Sequence, residues 1–173
     1  MGKRVSFSGL HPKLSQIGVQ HKDLEASLRL YFSPASPTYV ERFAGRKAAE
    51  VAAELEDLIE EVDRTSSLTT LTAVEAAFRI DYLQRCYQKR KDPVSRAFRE
   101  IHKKKRDRPS LEDEIFQVWI ENVSGARSTI SDLKGAFDFR HWLAHGRYWT
   151  PKFRRYDFAD IFALANQALS IFA

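Results

Sequence analysis

Val40, Phe43, Ala44, Val51, Leu55, Leu58, Ile59 and Val62 recur at three- and four-residue intervals, a period that an α-helix turns into one apolar face. Glu50, Glu54, Glu56, Asp57, Glu60 and Glu61 fall on the opposite side. The Ser/Thr-rich stretch Thr65–Thr70 predicts the end of that helix, and Thr72 followed by Glu75 has the form of a capping box opening the next. Val74, Phe78, Tyr82 and Cys86 then make a stripe that reaches Lys91. Asp92-Pro93 restarts the chain as an N-cap with proline at the first helical position, and Val94, Phe98 and Ile101 give that helix its core face. Pro109-Ser110 opens a helix with Leu111, Ile115, Val118 and Trp119 inward. Ser124-Gly125 breaks it. Ile130, Leu133 and Phe137 lead a further helix to a C-terminal cap at Gly146, and Asp157 caps a last helix carrying Phe158, Ile161, Ala165, Ala168 and Phe172. No segment alternates with period two, no Gly-rich phosphate loop occurs, and seven glycines in 173 residues argue against an α/β nucleotide fold. The expected fold class is all-α, a bundle of about five to seven helices. Residues 39–173 form the expected helical domain. Residues 1–38, punctuated by Gly9, Pro12, Gly18, Pro34 and Pro37, read as an N-terminal extension or arm with room for one helix near Asp23–Phe32.

Cys86 is the only cysteine, so an internal disulfide and a multi-cysteine zinc site are both excluded, and the thiol reads as a small buried hydrophobe. No apolar run is long enough to span a membrane and no signal peptide opens the chain, so a cytoplasmic location with no membrane partner is expected. The formal charge is +5, but eleven basic residues stand against three acidic ones between Arg85 and Arg108, leaving the remainder of the chain at −3. Excess positive charge gathered in one block is the footprint of a polyanion, or else a solvated helical face.

The densest chemistry lies in Phe139-Arg140-His141-Trp142-Leu143-Ala144-His145-Gly146-Arg147. Arginine keeps its proton while histidine titrates near neutrality, so together they can clamp a phosphate and move protons around it. The spacing alone is weak, because Arg96 and His102 repeat it. His102, however, precedes Lys103-Lys104-Lys105-Arg106 and reads as a solvated histidine kept neutral by its basic neighbours. Arg140, His141 and His145 instead sit among residues that must pack, where desolvation demands compensation. A structural cluster would meet that demand with a buried carboxylate for Arg140 and a backbone partner for His145. Five residues is about 140° of helix rotation, so Arg140 and His145 do not share a face unless the helix loosens near Ala144–Gly146. Tyr148 and Trp149 can stack on bases, while Trp142 reads as packing. Glu75 either anchors Arg140 or caps its own helix.

Arg140, His141 and His145, at the end of a late helix with one more to follow, resemble the signature of the HEPN (higher eukaryotes and prokaryotes nucleotide-binding) family. The wording of all nine residues is most similar to its RiboL-PSP-HEPN branch. The resemblance implies an HEPN-like helical bundle over residues 39–173. It also implies a metal-independent endoribonuclease, a toxin or defence effector, which cleaves single-stranded RNA through the substrate's own 2′-OH. In that scheme His145 transfers the proton, Arg140 clamps the phosphate and His141 orients them. Arg147, Tyr148, Lys152, Arg154 and Arg155 hold flanking nucleotides, and Glu75 and Arg79 face the site from the second core helix. No cofactor or metal is implied, the working unit is a homodimer with the site at its interface, and an antitoxin or inhibitor protein is a possible partner. Arg147 stands where members controlled by adenylylation carry tyrosine, so that control is not expected. Two alternatives stay open: a non-catalytic nucleic-acid or nucleotide-binding module, and a structural dimerisation domain.

Overall fold

The computed structural model describes residues 4–172. Among them are seven α-helices and no strand: α1 (Leu14–Tyr31), α2 (Tyr39–Arg42), α3 (Ala48–Gln88), α4 (Pro93–Lys105), α5 (Phe116–Asn122), α6 (Ala126–Ala144) and α7 (Phe158–Ser170). This is the all-α bundle that the apolar spacing predicts. No described helix is long and apolar enough to cross a membrane. Residues 1–3 of the N-terminal extension and residue 173 of the helical domain lie outside the described residues.

The centre of the fold is α3, 41 residues without a break. The interruption expected at Thr65–Thr70 does not occur. Thr65, Thr69 and Thr72 donate their hydroxyls to the carbonyls of Glu61, Thr65 and Leu68, each at 2.9 Å. These hydroxyls are thus satisfied inside the helix instead of competing with it, and Ser66, Ser67 and Thr70 are buried. Thr72 is therefore no cap. The break comes earlier: Gly45 at φ 75° separates α2 from α3. That break shifts the register of the first apolar stripe, so Val40 is 80% exposed and Leu58 also reaches solvent.

The caps read from the sequence hold elsewhere. Asp92 accepts from the Ser95 N–H at 2.9 Å and Asp157 from the Asp160 N–H at 2.7 Å. Ser110 accepts from the Asp113 N–H at 3.2 Å, although the first turn it caps, Leu111–Ile115, is π-helical before α5 continues. Gly125, at φ 80°, starts α6. Leu71, Val74, Phe78 and Tyr82 of α3 meet Phe98, Ile115, Phe116 and Trp119, and Ile130, Leu133, Ile161 and Ala165 close the same core.

The first helix is longer than expected, starting at Leu14. It packs on α3 and α7, where Ile17 meets Ala73 and Phe158. Gly18 lies so near the Phe162 ring that a Cβ there would come within 2.9 Å. His21 stacks on Phe158 at 3.8 Å and bonds Asp63 at 2.7 Å.

Two groups from the basic block prove structural. Arg85 is buried, bonds Asp81 at 2.8 Å and Asp92 at 3.2 Å, and lies 4.8 Å over Trp119. Cys86 is buried as expected, and burial pushes its thiol up to about 11, away from the reactive range.

Because α3 is continuous, Thr69→Pro is expected to cost about 3 kcal/mol or more by removing a helical hydrogen bond and clashing with the preceding turn. Urea unfolding measures this. An unchanged midpoint would mean that the helix is in fact interrupted there.

Candidate functional site

The Phe139–Arg147 motif occupies the last turn of α6 and its exit. His145 is the C-cap, and its N–H donates to the His141 carbonyl at 3.1 Å. Gly146 (φ 79°) and Arg147 (φ 59°) follow in the left-handed region. The Arg147 N–H turns back to the Trp142 carbonyl at 3.1 Å, the wide bond of a Schellman motif, which satisfies a carbonyl at the helix end. Glycine takes this conformation freely, whereas for arginine it costs roughly 1–2 kcal/mol. The Arg147 guanidinium offsets that by donating to Glu61 Oε2, far back on α3, at 2.5 Å.

Ahead of this exit turn, the i,i+4 spacing brings the two imidazoles together. The His141 and His145 ring centroids are 4.2 Å apart with planes at 49°, and both residues are exposed. Trp149 lies 5.9 Å from His141. Its carbonyl accepts from Trp142 Nε1 at 2.8 Å, which straps the following loop onto α6. His141 lines a cleft of about 480 Å³ with Asp138, Trp149, Thr150, Lys152 and Phe153. The His145 side chain makes no hydrogen bond among the described residues; its neighbour is the other imidazole.

Arg140 is not part of that pair. One residue earlier on the helix is about 100° of rotation, and its guanidinium reaches α3 instead, bonding Glu75 Oε2 at 2.9 Å. Glu75 Oε1 accepts from Arg79 Nε at 2.9 Å, and Arg79 in turn donates to the Pro109 carbonyl at 3.2 Å. Glu75 is thus an anchor for two arginines and not a cap. Arg140 Nε is shielded from solvent and has no acceptor among the described residues, while the side chain as a whole is 33% exposed. Two guanidiniums sharing one carboxylate leave a net positive centre with donors to spare. The regular helical bond runs through to His145, so its ring falls on the face of His141, four residues back, and about 140° round the axis from Arg140.

The remaining candidates divide. Lys152 lines the His141 cleft. Arg154 is committed to Asp160 at 2.9 Å. Arg155 opens on the other side of α6, on a groove of about 760 Å³ walled by Phe139, Trp142, Phe153 and Tyr156. Tyr148 is 84% exposed and edge-on to Trp149 at 4.8 Å. Trp142 packs near Phe139 and Phe153. The competing pair falls apart: Arg96 bonds the Lys91 carbonyl, and His102 is half-buried with its ring centroid 6.0 Å from those of Tyr82 and Tyr87. His102 is not the solvated histidine the sequence implies. Its pKa is lowered by burial first and by Arg106 second.

Sequence reasoning missed Glu61, Asp138 and the Pro109 carbonyl. Glu61 sits in an acidic stripe that reads as solvated, and nothing local signals a partner 86 residues away. Among the described residues no three His, Cys, Asp or Glu side chains converge as metal ligands.

The Arg147 hydrogen bond, with help from Arg64, holds the Glu61 carboxyl below its ordinary range against the opposing effect of burial. A depressed carboxyl contributes its stabilisation above the unfolded-state pKa of about 4.3 and loses it as pH falls through the folded value. The exit turn is therefore expected to stay tethered at neutral pH and release below that range. Trp149 emission should report the release in the wild type, with a smaller acid transition in Glu61→Gln. Identical titrations in the two proteins would show that the pair does not hold the turn.

The chain matches no family model, no curated protein and no solved structure.

Proposed function

We propose that this protein is a metal-independent endoribonuclease acting on single-stranded RNA, with the cell-directed role of a toxin or defence effector. The observation that carries this reading is the exposed His141–His145 pair, 4.2 Å between centroids, beside a cleft holding Lys152 and one helix face away from Arg140, which shares Glu75 with Arg79. Cleavage by the neighbouring 2′-OH needs that hydroxyl's proton removed, the P–O5′ bond broken and the departing 5′-oxygen protonated, leaving a 2′,3′-cyclic phosphate. His145 transfers the proton in this scheme, and His141, in contact with it, orients and stabilises the ring. Arg140 neutralises the developing charge on the phosphorane.

The separation of Arg140 from the imidazoles within one chain supports a site completed across a homodimer, where groups from two copies meet. Lys152 and Arg155 are the cations for flanking phosphates, and exposed Tyr148 offers a stacking face. Favouring a second reading, a structural dimerisation domain whose motif is a bonded cluster, is the engagement of Arg140 and Arg147 by Glu75 and Glu61.

The test is RNA cleavage in excess EDTA by the wild type and by Arg140→Ala, His141→Ala and His145→Ala. His145→Ala is expected to lose about 10²–10⁴-fold in rate, the usual contribution of a positioned acid–base group. Activity that disappears with EDTA alone, or that survives both Arg140→Ala and His145→Ala, overturns the mechanism. A strict monomer on sizing removes the composite site, and normal growth on overexpression removes the toxin role.

A further inference from the structure

The site's Arg140 is tied through Glu75 and Arg79 to the carbonyl of Pro109, at the end of the most basic segment in the chain. That segment has a second peculiarity. The Arg108 N–H donates to the Lys105 carbonyl at 3.0 Å, and Arg106 between them adopts φ 56°, ψ −117°. These are the angles of the first central residue of a type II′ turn, a position that glycine normally takes. Arginine there is strained. The turn is nonetheless pinned, with Tyr82 donating its hydroxyl to the Arg106 carbonyl at 2.6 Å.

Helix-end electrostatics do not account for the charge. One or two cations suffice to complement the C-terminus of α4, yet His102, Lys103, Lys104 and Lys105 fill its last turn, and Arg106 and Arg108 follow. Lys103 alone pairs, with Glu100. Lys104, Lys105, Arg106 and Arg108 are exposed and form no ion pair among the described residues. Arg85, in the same basic block, shows the contrast, being buried between two carboxylates.

We propose that Lys104, Lys105, Arg106 and Arg108 form a phosphate track that feeds single-stranded RNA toward the Arg79–Glu75–Arg140 cluster, making the substrate a strand long enough to span both. Resting on the RNA-directed reading above, this names where the strand lies outside the reacting centre. An anionic membrane fits less well, since none of the exposed large apolar residues falls between Lys89 and Ser110 to insert into lipid. The acid-rich start of α3 in a second copy is the other anionic surface that could meet this patch.

The experiment follows binding, not cleavage, so that it remains readable if the chain proves inactive. Fluorescence anisotropy of a labelled polyuridylate of about 20 nucleotides is measured across about 50–200 mM salt, with the full-length wild type and the variant Lys104→Gln/Lys105→Gln/Arg106→Gln/Arg108→Gln. At about 0.7 per phosphate contact on a single strand, the slope of log K against log salt is expected to fall by about 3, with affinity at least about tenfold weaker. Arg106→Gly supplies the control for folding. It is expected to raise the melting temperature by relieving the strained turn while still weakening RNA binding. An unchanged slope in the folded quadruple variant overturns the track. So does binding to phosphatidylserine vesicles in place of RNA, or a change of oligomeric state with RNA affinity intact.

Discussion

Everything in this bundle is referred to one uninterrupted helix. Along α3, Glu61 and Glu75 are separated by close to four turns and about 21 Å, so their carboxylates share a face. Glu75 takes Arg140 and Glu61 takes Arg147, so the end of α6 is laid along α3 in the reverse direction. Partly exposed ion pairs of this kind contribute only about 0–1 kcal/mol each. The stability comes from the apolar core of Leu71, Val74, Phe78, Ile130, Leu133 and Ile161. The ion pairs act on orientation: they tie the last turn of α6 and the exit that follows it to α3.

The ratio of cations to carboxylates separates structural arginines from available ones. Arg85 is enclosed by Asp81 and Asp92 and stacked on Trp119; burial even pushes the Asp81 carboxyl up despite that neighbour. It has nothing left to offer an incoming anion. Arg79 and Arg140 share a single carboxylate, and Arg140 keeps an unpartnered Nε. Lys104, Lys105, Arg106 and Arg108 have no carboxylate partner among the described residues. Positive charge thus grows more available from the core at Arg85, through the Glu75 cluster, to the strained turn after α4.

Much of this was legible locally. Asp92 and Asp157 cap as read, because a short side-chain oxygen before a helix meets a backbone N–H within its own turn. Gly125 and Gly146 mark boundaries because the chain there needs positive φ. The misreadings share a cause as well. Thr65–Thr70 looks like a break, yet those hydroxyls can bond the preceding turn as readily as cap a new one. Bonds from Thr65, Thr69 and Thr72 to the carbonyls one turn back let the helix run on, even though the buried Thr70 hydroxyl finds no partner among the described residues. The N-terminal segment reads poorly because Ile17, Gly18 and His21 gain their meaning only against α3 and α7.

By itself the sequence determined the all-α class and most helix ends, and it showed two histidines and two arginines gathered into nine residues, since these depend on hydrophobic period, cap chemistry and side-chain type. Only the tertiary structure decided that Glu75 takes Arg140, that Glu61 holds Arg147, that Arg79 reaches the Pro109 carbonyl and that Arg85 lies over Trp119. Those outcomes depend on which groups meet across elements dozens of residues apart, and pairing at that range leaves no trace in local spacing.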